Sequence, residues 1–147
     1  MGIFNIMNTS ASGLTAERLR MDLIADNIAN SQTTRTEKGE AYRRKMAVFG
    51  ENKKDFIVPM NLTKDDVEKN YTGGVKVLKI AEDQTPFNYV YDPEHPDANE
   101  KGYVAMPNVN VVLEMVDMIT ATRAYEANAT VITNAKSMAQ AALQIGK

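Results

Sequence analysis

Hydrophobic residues recur at helical spacing at both ends of the chain and at strand spacing between them. Met7, Ala11, Leu14, Arg18, Met21, Ala25 and Ile28 are separated by alternating steps of 4 and 3. That heptad spacing, with Arg18 its one polar intruder, predicts an amphipathic helix over roughly the first 30 residues. Leu19, Leu23 and Ile24 widen its apolar face. Gly13 is a local weakness worth about 1 kcal/mol against alanine. The polar run Ser31-Gln32-Thr33-Thr34 predicts an end near Asn30.

Val111, Met115, Met118, Thr122, Tyr125, Ala129 and Ile132 repeat the spacing near the other end. A second stripe joins Ala124, Asn128, Val131, Ala135, Met138, Ala142 and Ile145. No Gly or Pro interrupts residues 109–145. Pro107 with Asn108 or Asn110 offers a start, and Glu114 in the first turn suits the helix dipole. Such a helix spans roughly 50 Å, longer than the core of one small globule needs. Its middle, TRAYEANATVITNAKS (122–137), is rich in mediocre helix formers: Thr122, Asn128, Thr130, Thr133 and Asn134. Low intrinsic propensity fits a helix completed by its neighbours, and a polar residue such as Asn128 on a packed stripe fixes register. The plainer reading of each Thr is a hydroxyl bonded to its own helix on an outer face.

Between the helices the period changes. GVKVLKI (74–80) alternates in part, and PFNYVYD (86–92) puts Phe87, Tyr89 and Tyr91 on one face. YRRKMAVF (42–49) and FIVP (56–59) are shorter strand candidates. Residues 40–105 therefore read as a small antiparallel β unit. The fold class is α+β: long terminal helices, pairing in coiled-coil fashion, around a β insert. Residues 1–34 and 107–147 would form one discontinuous helical domain and residues 35–106 the insert. Two helices make a thin core, and their broad stripes exceed what one partner covers, which marks an interaction surface.

Composition removes chemistry rather than adding it. The chain of 147 residues carries a net charge of −2, which gives no footprint for nucleic acid. The runs Arg43-Arg44-Lys45 and Lys53-Lys54 read as solvated surface. The absence of cysteine excludes disulfides and thiolate metal sites. No apolar run is long enough to cross a membrane, and the N-terminus lacks the pattern of a cleaved signal. His95, the one histidine, lies in the loop DPEHPDAN with too few companions for a metal or catalytic site. The acidic spacing there does not fit a calcium loop. No catalytic residue, cofactor or metal is expected. Nine methionines, several on the helical stripes, suit a surface that meets non-identical partners.

Two stretches carry a resemblance. NIANSQTT (27–34), after an amphipathic helix, and NVNVVLEMVDMITATRAYEAN (108–128) resemble the terminal signatures of the bacterial flagellar axial proteins of the rod and hook. YDPEHPDANEKGYV (91–104) and RTEKGEAYRRK (35–45) resemble a short rod-forming member, and the likeness spans nearly the whole chain. It implies a structural subunit of the proximal rod, exported through the flagellar type III apparatus without a cleaved signal. In the periplasm the subunits would polymerise into a hollow helical drive shaft that transmits torque and serves as an export channel. The terminal helices would form its inner layer and the insert its outer layer. Its partners would be other copies, other rod proteins and the adaptor between motor ring and rod base. The residues expected at subunit interfaces are Met7, Leu14, Met21, Asn27, Ile28, Asn30, Met115, Met118, Tyr125, Asn128, Val131 and Met138, with Asn27 and Asn30 closing the first helix. The alternatives are a helical-hairpin adaptor or export-chaperone-binding module, and an enzyme built on the His95 loop.

Overall fold

The computed structural model describes residues 3–52 and 73–145. Among the described residues two long helices flank four short strands, as the α+β reading expects. Helix α1 spans Ile3–Ala29, followed by β1 (Lys45–Glu51), β2 (Val75–Glu82), β3 (Asn88–Tyr91), β4 (Tyr103–Met106) and helix α2 (Val111–Ile145). The strands form two separate two-stranded sheets, β1-β2 and β3-β4. In the first, Asp83 N–H donates to Arg44 O and Asn52 N–H to Gly74 O, both at 2.8 Å, so the strands run antiparallel. In the second, Asn88 faces Met106 and Tyr91 faces Tyr103, also antiparallel. The candidate strand at 56–59 lies outside the described residues.

The helix boundaries follow from local chemistry. Asn110 caps α2: its Oδ1 accepts the N–H groups of Val112 (3.0 Å) and Leu113 (3.3 Å). Of the two asparagines expected to start this helix, Asn110 does so. Asn108 is spent elsewhere. At the end of α1, Asn30 Nδ2 donates to Asp26 O at 2.9 Å, the carbonyl that also accepts the Asn30 N–H at 3.0 Å.

The chain forms two compact units, and each helix contributes to both. The first comprises residues 1–18, 49–78 and 122–147, the second 19–48 and 79–121. In the first unit, Gly13 of α1 lies against Asn128 of α2, where an added Cβ would sit 3.0 Å from Asn128 Nδ2. The glycine that looked like a weak point thus admits the asparagine. The polar run in α2 proves ordinary: Thr130 and Thr133 donate to the carbonyls four residues back, Glu126 O (2.9 Å) and Ala129 O (3.1 Å). Asn128 does the same to Ala124 O.

The packed face of α1 is turned by one residue from the stripe the spacing predicts. The buried residues are Ser10, Ala16, Leu23, Ile24 and Asn27, while Ala11, Arg18 and Ala25 are exposed and Met7, Leu14, Met21 and Ile28 half-buried. Beside Leu23 and Ile24 the buried groups are small or polar, since close helices leave little room at their seam. On α2 the fully buried positions are Glu114, Ala121 and Ala135, seven or fourteen residues apart. The larger apolar side chains point outward: Val112 is 69% exposed, and Met115, Val116, Ile119, Val131 and Met138 are all exposed.

Candidate functional site

The second unit is fastened by a polar cluster around Asn27. A side-chain amide offers two donors and an acceptor oxygen with two lone pairs, and every one is used. Asn27 Oδ1 accepts Lys45 N–H at 2.9 Å and the Tyr42 hydroxyl at 3.0 Å. Its Nδ2 donates to Lys45 O at 2.9 Å and Glu114 Oε2 at 3.0 Å. Asn27 and Glu114 are each 1% exposed. Asn27 therefore grips the backbone of β1 in the manner of a paired strand while tying α1 to α2. The expectation that it caps α1 is corrected: the helix runs two residues past it, and its side chain faces inward.

Arg44 carries the cluster further. Its Nε donates to Glu114 Oε1 and its Nη2 to Asp117 Oδ2 at 3.2 Å. Asp83 Oδ2 lies 3.9 Å from Nη1. The Arg44 N–H donates to Asn108 Oδ1 at 2.9 Å, and Asn108 Nδ2 reaches Asp83 O (3.1 Å) and Thr85 Oγ1 (2.8 Å). Next to it, the Arg43 guanidinium sits 4.2 Å from the centre of the Phe87 ring. The basic run 43–45 is thus not solvated surface. Arg44 binds the β1–β2 pair to α2, and Glu114, which the sequence offered as a dipole partner, is the buried counter-charge. A Glu at an inward position of an apolar helix, with arginines elsewhere in the chain, was the available signal. It named no partner.

Tyr42 shows the electrostatics of this interior. Burial, then the carboxylates of Asp26, Glu114 and Glu82, push its hydroxyl up to about 12 from an ordinary value near 10. The neutral phenol is the form the fold favours. Its contribution is complete below pH 10 and is lost as pH rises through 10 towards 12, on the order of 2 kcal/mol in all. A Tyr42→Phe variant should lose this alkaline step in denaturant titrations between pH 9 and 12. An unchanged pH profile would show that Tyr42 does not titrate as its surroundings imply.

Apart from the buried Asn27, the expected interface residues fall into two groups. Met115, Tyr125, Val131 and Met138 are exposed. Met7, Leu14, Met21, Ile28, Asn30, Met118 and Asn128 are half-buried. The structure gathers none of them around a reactive centre; only Asn27 joins the polar cluster. His95 accepts the Asp97 N–H on Nδ1 at 3.1 Å and so shapes its own loop. Among the described residues no His, Asp, Glu or Cys group is arranged to hold a metal ion, and no helix is long and apolar enough to cross a membrane.

The polar cluster is a fastening, with its hydrogen-bonding capacity consumed internally, and the helices around it hold apolar side chains out to solvent. That combination is one of packing and exposed apolar surface, with no reactive group at its centre among the described residues. Comparison with known proteins gives the family. Residues 7–35 match the model for flagella basal body rod proteins, and residues 100–145 match that for the C-terminal region of flagellar basal body rod FlgEFG proteins. The flagellar basal-body rod protein FlgC of Bacillus subtilis is 47% identical over the full length of both chains. That of Borreliella burgdorferi is 46% identical, over 99% of this chain and 98% of its own. That of Escherichia coli is 39% identical, again over both full lengths. The chain belongs to the flagellar basal-body rod protein FlgC family and is a structural subunit of the rod.

Proposed function

We propose that this rod subunit polymerises through its terminal helices, as part of a hollow helical shaft that carries motor torque and passes exported protein. Residues 1–34 and 107–147 would make the inner layer and residues 35–106 the outer. The observation that carries this is the outward apolar surface of α2, where Val112, Met115, Val116 and Ile119 are all more than half exposed. Leaving such a face in water forgoes the roughly 25 cal/mol per Å² that burial returns. The interface would use Met7, Leu14, Met21, Ile28, Asn30, Met115, Met118, Tyr125, Asn128, Val131 and Met138, with Asn27 supporting the turn from α1 into the insert. Contacts that do not close on themselves build a helical filament rather than a ring.

The partners would be other copies, other rod proteins and the adaptor at the rod base. The chain would reach the periplasm through the flagellar type III apparatus without a cleaved signal, and it would have no catalytic role. Light scattering on the isolated chain is expected to give a monomer, and basal bodies purified from cells are expected to contain the chain. A concentration-independent dimer absent from basal bodies would instead indicate the helical-hairpin adaptor.

A further inference from the structure

The β3–β4 ribbon presents an aromatic face that the helix contacts leave unused. Tyr89 pairs with Ala105, and Tyr91 with Tyr103. Paired residues share a face, and side chains alternate along a strand, so the three tyrosines lie together. Tyr89 and Tyr91 are more than 60% exposed and Tyr103 is 43% exposed. The rings of Tyr91 and Tyr103 meet edge to face, with centroids 5.3 Å apart. On the opposite face Val104 is buried.

The loop beside the tyrosines is held in shape. Asp92 N–H donates to Gly102 O, and Asn99 Oδ1 accepts the N–H groups of Lys101 and Tyr103 at 2.9 and 3.0 Å. Gly102 turns the chain at a φ of 77°, where a Cβ would lie 2.9 Å from the Tyr91 ring. Asp97 is engaged by Thr34 and Arg35. Glu94 and Glu100 are exposed, and no cation among the described residues pairs with them. The loop's one cation is Lys101. This is a fixed aromatic surface with free carboxylates at its edge.

The same chain carries a surface of opposite character. On β2, Lys76, Leu78 and Ile80 share one face and are exposed, and Lys79 is exposed beside them. Neither lysine pairs with a carboxylate among the described residues. Glu82, further along that face, lies 3.7 Å from Lys38.

We propose that the tyrosine face of the β3–β4 ribbon, with Glu94 and Glu100, docks on the Lys76–Leu78–Ile80 face of β2 in a second copy of the chain. Tyrosine rings cover Leu78 and Ile80, the free carboxylates meet the free ammonium groups, and a lysine can rest over a ring. The two faces differ, so the contact runs head to tail and repeats. It rests on the reading of the chain as a polymerising rod subunit, and adds a contact made by the insert.

Charge exchange tests it in cells lacking their own copy of the chain. Glu94→Lys with Glu100→Lys, or Lys76→Glu with Lys79→Glu, should each cut incorporation into basal bodies about tenfold, because like charges then face each other. All four changes together should restore it. Chains carrying Tyr91→Cys and Leu78→Cys, oxidised after assembly, should give a ladder of linked oligomers. Full incorporation of both double variants, or a four-fold variant as defective as either pair, would overturn the contact; the latter would assign the acidic face to a different protein. A ladder that stops at dimers would overturn the head-to-tail geometry. Absence of the unmodified chain from basal bodies would instead defeat the rod reading itself.

Discussion

Val131→Asp is expected to abolish rod incorporation while leaving the isolated chain folded. Val131 is 41% exposed on α2, so a carboxylate there meets water in the lone subunit. Surface changes of this kind shift stability within about 0.5 kcal/mol. In the assembly the same position would be covered by a neighbouring helix. A carboxylate buried without a partner costs several kcal/mol, enough to remove the contact. Circular dichroism of the variant should match the parent, and cells relying on it should not swim. Normal motility would show that this face of α2 stays open in the rod.

Glu114→Ala should have the opposite profile: a fold defect first, and loss of assembly only as its consequence. The substitution removes the counter-charge of Arg44 and the acceptor for Asn27 Nδ2 together. Breaking a buried pair by deleting one partner costs about 3–5 kcal/mol. For a chain of this size that corresponds to a fall in melting temperature of roughly 10 °C or more. Glu114→Gln keeps an oxygen for Asn27 and should lose less. Equal melting temperatures for the parent and Glu114→Ala would mean that Arg44 is satisfied by Asp117 and Asp83 alone.

These two residues also mark what could be read from the chain. Helix period, the cap at Asn110 and the alternation in β2 and β3 depend on neighbours in sequence, so both helices and three strands were legible. β1 begins at Lys45 rather than Tyr42, because Tyr42 N–H donates to Thr33 O and its ring turns inward. β4, Tyr-Val-Ala-Met, is apolar throughout and shows no alternation; only pairing with β3 makes it a strand. The packed seam of α1 was legible at Leu23 and Ile24 but not at Ser10, Ala16 and Asn27, small or polar residues that hydrophobicity does not select. The Asn27–Glu114–Arg44 cluster joins residues up to 87 positions apart, and no spacing rule links them. The terminal signatures identified the family while saying nothing of why those residues are there. Asn27 in the first signature and Glu114 in the second turn out to be hydrogen-bonded to each other.

The outward apolar side chains of α2 are expected to be covered when subunits assemble. The natural chain has no cysteine, so Met115→Cys supplies a single thiol at an exposed position. Maleimide labelling of this variant, in the isolated chain and in purified basal bodies, measures the coverage directly. Rapid labelling of the free subunit and near-complete protection in basal bodies is the predicted result. Equally fast labelling of both would show that this face of α2 stays in water in the rod.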